Sequence, residues 1–150
     1  MDANTKITVY NISPYRVFIS RKMTQGKDYD VKSGGKVLLS ADEITAHVES
    51  GDVLFCGTDS AGSHARLYID NPDMRREFGF DTDERKQLVV TKEKLKEIFA
   101  VKSEAEFKRS LGEAIRLQFE IKQLQQFIAN NGTNKFNYVK IAESMFHIAI

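Results

Sequence analysis

The sequence predicts an α+β protein: an N-terminal antiparallel, strand-rich half, forming a small sheet or partly open barrel with one short helix, followed by a helical half with one long helix. Three observations lead there. Short β-branched and aromatic runs bounded by turn residues fill the chain as far as Pro72. Thr91 and Ser103 then stand where helix caps belong. Finally, apolar residues between 107 and 128 recur at three- and four-residue intervals, the period of a helix with a buried face.

Taken in order, Lys6-Ile7-Thr8-Val9-Tyr10 alternates in strand fashion, Asn11 to Pro14 supplies turn residues, and Val17-Phe18-Ile19 resumes the apolar pattern. This predicts a hairpin or closely spaced strand pair. Pro14 has no amide hydrogen for a ladder and belongs in the connection or at a sheet edge. A second extended piece is expected around Tyr29 to Val31, bracketed by Gly26 and Ser33-Gly34-Gly35, with a third at Val37-Leu38-Leu39. Ser40-Ala41-Asp42-Glu43 matches a capping box, so a short helix should run to about Ser50 and stop at Gly51.

Val53-Leu54-Phe55 and Ala65 to Ile69 read as two more strands, joined by a mobile, exposed loop over the small and polar residues 57–64. Asp70-Asn71-Pro72 ends the second of them. The densely charged stretch from Asp73 to Lys86 reads as a connection with one helical turn, pinned by Phe78 and Phe80.

Thr91 opens a helix carrying Leu95, Ile98 and Phe99, and Ser103-Glu104-Ala105-Glu106 is a second capping box. The helix that follows is expected to reach Asn130, roughly 40 Å at ~1.5 Å per residue, and to stop at Asn131-Gly132. Phe107, Leu111, Ala114, Leu117, Ile121, Leu124 and Ile128 form its stripe. Ile115, Phe119 and Phe127 lie off that stripe, which implies two buried sides or a partner surface. The last segment, from Phe136, should be mostly helical and ends in Phe146-His147-Ile148-Ala149-Ile150. Such an apolar end is either tucked into the core or docked on a neighbour. The composition shift sets the candidate division at 1–72 and 73–150, read as two subdomains of one continuous folding unit.

Composition narrows the function classes. With 22 Lys and Arg against 21 Asp and Glu, the chain has no strong global field to hold it on a polyanion. No apolar run approaches the ~20 residues that span a bilayer. The single Cys56 cannot form an internal bridge, and the polar residues after Met1 lack a signal-peptide core, so synthesis in a host cytoplasm is expected.

Motifs for chemistry are missing or weak. There is no phosphate loop of the GxxxxGK[ST] or GxGxxG kind. His47, His64, His147 and Cys56 are too widely spaced for a structural zinc site. Asp59, Ser60 and His64 are the residue types of a hydrolase triad, but they crowd one loop without a rigid frame. Asp81-Thr82-Asp83-Glu84 lacks the glycine and distal glutamate of an EF-hand. The basic residues from Arg75 to Arg109 alternate with acidic ones, which favours an ion-paired surface over a nucleic-acid groove. The expectation is a protein that is not an enzyme, with no cofactor, no metal and no small-molecule substrate. Its candidate interface is Thr58, Asp59, Ser60 and His64 in the loop, Ile115, Phe119 and Phe127 on the long helix, and Phe146, Ile148 and Ile150 at the end.

The order of pieces, namely Ile7-Thr8-Val9-Tyr10-Asn11, a Gly-Gly turn into Val37-Leu38-Leu39-Ser40 with Asp42-Glu43-Ile44, then Leu67-Tyr68-Ile69-Asp70 and helices, resembles small accessory virion proteins of tailed bacteriophages. The resemblance covers nearly the whole chain in layout and carries no diagnostic residues. It implies a virion component bound to the capsid, the portal and neck, or the tail, contributing to assembly or particle stability. Other virion proteins and copies of the chain itself would be its partners. The alternative is a cytoplasmic regulatory adaptor of phage or bacterial origin that binds protein or, less favoured, nucleic acid.

Overall fold

The computed structural model describes residues 2–131 and 135–148. It bears out the α+β layout, with strands first and helices after. The chain divides into two compact units, Met1–Val89 and Val90–Ile150. Their boundary follows Val89, whereas the composition shift lies at Pro72.

In the first unit, β1 (Lys6–Asn11) is the middle strand of a three-stranded sheet. Its antiparallel neighbours are β4 (Lys36–Ser40) and β5 (Leu67–Ile69). β2 (Val17–Ile19) pairs instead with β3 (Tyr29–Val31) in a second, two-stranded sheet. The expected pairing of β1 with β2 is therefore corrected. Asn11 supplies the reason. It is fully buried, and its Nδ2 donates to the carbonyls of Tyr15, Val31 and Lys32 at 2.8, 3.0 and 3.1 Å. Its Oδ1 accepts from Ser13 N and Oγ at 3.0 and 2.7 Å. The turn after β1 is thus tied to β3 rather than closed as a hairpin.

Alternation along β1 points Ile7 and Val9 into a core shared with Val17, Ile19, Val31, Leu39, Ile44, Phe55, Leu67 and Ile69. Complete burial of side chains of this size stabilises a fold by about 1.5–3 kcal/mol each. The two turn aromatics do pin their segment: Phe80 is in this core and Phe78 packs against it. They follow α3 (Pro72–Glu77), whose N-cap Asn71 accepts from Met74 N.

α1 (Ala41–Glu49) begins as expected, with Ser40 Oγ accepting from Glu43 N at 3.1 Å. The reciprocal half of the box is replaced. The buried Glu43 carboxylate accepts from the backbone N–H of Lys22 and Met23, at 2.9 and 3.4 Å, and so anchors the segment after β2. Gly51, at φ +76°, ends the helix. Val53-Leu54-Phe55, expected as a strand, is the short helix α2 (Val53–Cys56). Asp52 decides this, because its Oδ1 accepts from Leu54 N at 3.0 Å and caps a helical turn directly after Gly51.

The second unit holds α4 (Lys92–Ala100), α5 (Glu104–Ala114), α6 (Gln118–Asn131) and α7 (Phe136–Phe146). Thr91 and Ser103 cap the first two, accepting from Lys94 N and Glu106 N. The single long helix is corrected to two. Ile115 is extended (φ −105°, ψ 105°), and the carboxylate of Glu120 accepts from Arg116 N and Leu117 N, both at 3.0 Å. Glu120 occupies the third position of α6 and reaches back as the glutamate of a capping box does. Because Leu117 rather than a serine or threonine stands at the cap, the box is invisible in the sequence. Phe107, Leu111, Ala114, Leu124 and Ile128 of the stripe are buried, while Leu117 and Ile121 are only partly so. Phe107 stacks on Tyr138 of α7 with ring centroids 4.1 Å apart, and Phe99 meets Phe107 edge-on.

Candidate functional site

The loop from Gly57 to His64 is held far more firmly than its composition suggests. Thr58 N donates to Ser63 O (2.9 Å), Gly62 N to Cys56 O (2.8 Å) and His64 N to Leu88 O (2.8 Å). Asp59 Oδ1 accepts from Ala61 N and Ser63 N at 2.9 and 3.2 Å. From outside, Arg85 donates to Ala61 O (3.1 Å) and Ser63 Oγ (3.4 Å), and Gln87 Nε2 donates to Gly62 O (3.0 Å). Burial raises the Asp59 carboxyl, but the Ser63 and Ala61 hydrogen bonds and the Arg85 charge outweigh it and leave it below its ordinary value.

The expectation of a wholly exposed loop is therefore corrected. Thr58, Asp59 and Ser60 face solvent, but Gly62, Ser63 and His64 are buried. A Cβ on Gly57 would sit 1.9 Å from Ser63 O, so only glycine lets the two ends of the loop close. Ser60 and His64 both hold φ +61°, a conformation that costs free energy in non-glycine residues.

The other expected interface residues are distributed as follows. Ile115, Phe119 and Phe127 are buried, at 2%, 5% and 8% exposure, so they form no open surface. Ile115 and Phe127 belong to the apolar cluster of the helical unit. Phe146 and Ile148 are partly buried against the same cluster. Ile150 lies outside the described residues.

Two buried polar clusters carry no motif. At the junction of α1 and α2, the fully buried His47 sets Nδ1 2.7 Å from Asp52 Oδ2 and Nε2 2.8 Å from the Ser20 carbonyl, with Glu43 Oε2 at 3.4 Å. Spacing held one clue, since Glu43 and His47 are four apart on a helix and share a face. Cys56 is buried nearby; burial first, then the Asp52 charge, pushes its thiol up, which disfavours the reactive thiolate.

In the other cluster, Arg75 Nε donates to Asp81 Oδ2 (2.9 Å) and its Nη1 to Ile69 O (2.6 Å), while Gln87 N donates to Asp81 Oδ1 (2.8 Å). Burial pushes the Asp81 carboxyl up, but the Gln87 and Arg75 hydrogen bonds and the Arg75 and Lys86 charges hold it below its ordinary value. Both clusters bind chain to chain and serve as fasteners.

Among the described residues no group of three or more His, Cys, Asp or Glu could hold a metal ion, and no helix is long and apolar enough to cross a membrane. No family model, curated protein or solved structure matches the chain.

Proposed function

We propose that this protein is a non-enzymatic interaction protein, a virion component of a tailed bacteriophage that supports assembly or particle stability. The observation that carries the interaction reading is the set of large apolar side chains left in solvent on the strand-rich unit. Phe18, Met23, Leu38 and Val53 are 58%, 51%, 59% and 69% exposed. Water is an unfavourable surrounding for so much apolar area, which a partner surface would cover. The virion setting rests on the resemblance in layout, and the partners would be other virion proteins and copies of this chain.

The test combines light scattering on the purified chain with co-sedimentation against assembled particles, for the natural sequence and for Phe18→Ser with Leu38→Ser. The natural chain is expected to self-associate or sediment with particles, and the double variant to lose this while keeping its melting temperature. A natural chain that stays monomeric and never sediments with particles overturns the proposal.

A further inference from the structure

The three-stranded sheet has one face in the core, and the opposite face carries an ordered set of side chains. Because Ile7, Val9, Leu39, Leu67 and Ile69 point inward, Lys6, Thr8 and Tyr10 of β1, Lys36 and Leu38 of β4, and Tyr68 of β5 point the other way. The register sets Tyr10 directly opposite Tyr68 on one side and Lys36 on the other, and sets Thr8 opposite Leu38. Lys6, Lys36 and Leu38 are exposed, and both tyrosines are partly so. The Arg75 guanidinium, held by Asp81 and the Ile69 carbonyl, lies 4.7 Å from the Tyr68 ring centroid. Arg66 precedes Tyr68 by two residues on the same side, and Asp70 follows it by two.

Two aromatic rings on adjacent strands, about 4.8 Å apart across the ladder, form a platform on which bases stack. The flanking cations outnumber the one acid and would lie along a phosphate backbone. Stacking contacts of this kind tolerate any base, whereas a duplex keeps its base faces inaccessible. We propose that this sheet face binds single-stranded nucleic acid, with Tyr10 and Tyr68 under successive bases and Lys6 and Lys36 on phosphates. The near-balanced charge of the whole chain does not oppose this, since the positive residues are concentrated locally. The inference is independent of the virion reading, and it holds or fails whether or not the chain joins a particle.

The experiment is fluorescence anisotropy of the full chain with a fluorescein-labelled oligothymidylate of about 16 nucleotides, its duplex with oligoadenylate, and a labelled polyglutamate peptide. Expected are binding of the single strand in preference to both competitors and an affinity that falls with salt. Tyr10→Ala and Tyr68→Leu should each weaken binding roughly 5- to 100-fold, the range for loss of one stacked base. Lys6→Glu with Lys36→Glu, both fully exposed positions, should weaken it and flatten the salt dependence, with an unchanged circular dichroism spectrum. That pair decides the matter if a tyrosine variant fails to fold. Absence of single-strand binding at low salt, binding indifferent to the lysine pair, or equal affinity for duplex or polyglutamate each overturns the proposal.

Discussion

His47 Nδ1 lies 2.7 Å from Asp52 Oδ2, a contact that closes α1 onto the start of α2. The other ring nitrogen lies 2.8 Å from the Ser20 carbonyl, so one imidazole joins three segments of the first unit. A carboxylate and a carbonyl are both acceptors, and the ring uses both contacts fully only with a hydrogen on each nitrogen. Replacement by phenylalanine keeps the ring volume and removes both donors. His47→Phe is expected to destabilise the strand-rich unit by about 1–3 kcal/mol for each acceptor left unpaired. Urea denaturation followed by the signal of that unit measures it, and an unchanged midpoint contradicts the role assigned to the ring.

Asp81 gives a pH dependence with a definite sign. Its carboxyl is held below the ordinary value, so its contribution to stability is present above the unfolded value of about 3.9 and disappears as the pH falls through the folded value. Asp81→Asn should therefore cost about 1.5–3 kcal/mol at neutral pH, the range for a hydrogen bond to a charged group. The gap between variant and natural chain should close on acidification, as the natural carboxylate takes up its proton. Melting curves from pH 7 downward test this; a gap that stays constant or widens in acid would be incompatible with it.

Glu120 is fully buried and caps the start of α6 from within, accepting from Arg116 N and Leu117 N. Glu120→Ala leaves two amides without that partner and is expected to cost about 1–2 kcal/mol, as loss of a helix cap does. Amide hydrogen exchange should quicken first at residues 116 and 117. Equal protection in both proteins would show that the break between α5 and α6 is held by something else.

Gly57 and Gly51 both hold positive φ, but only Gly57 is also closely packed, with Ser63 O 1.9 Å from where a Cβ would stand. Gly51 has nothing within 4 Å of that point. Gly51→Ala should then cost about 1 kcal/mol for backbone strain alone, and Gly57→Ala clearly more, because the Gly57 to His64 loop must reopen. Comparing the two melting temperatures checks the claim, and a larger loss at Gly51 would refute it.

The sequence alone determined the strand-then-helix order, β1, β3, β4, the caps at Ser40, Thr91 and Ser103, and most of the helical stripe, because these follow from local periodicity and local hydrogen bonding. Tertiary structure decided the rest. Val53 to Cys56 is apolar enough for strand or helix, and only the Asp52 cap beside Gly51 selects the helix. The stripe from Phe107 to Ile128 keeps its spacing across the break at Ile115, so periodicity cannot reveal a cap made by Glu120 without a hydroxyl partner. The pairing of β1 with β4 and β5 brings together residues far apart in the chain, and with it come the burial of His64 and the Tyr10 and Tyr68 face. Side-chain pattern tells each strand which face is apolar, but not which strand lies beside it; that choice is made by how the whole core packs.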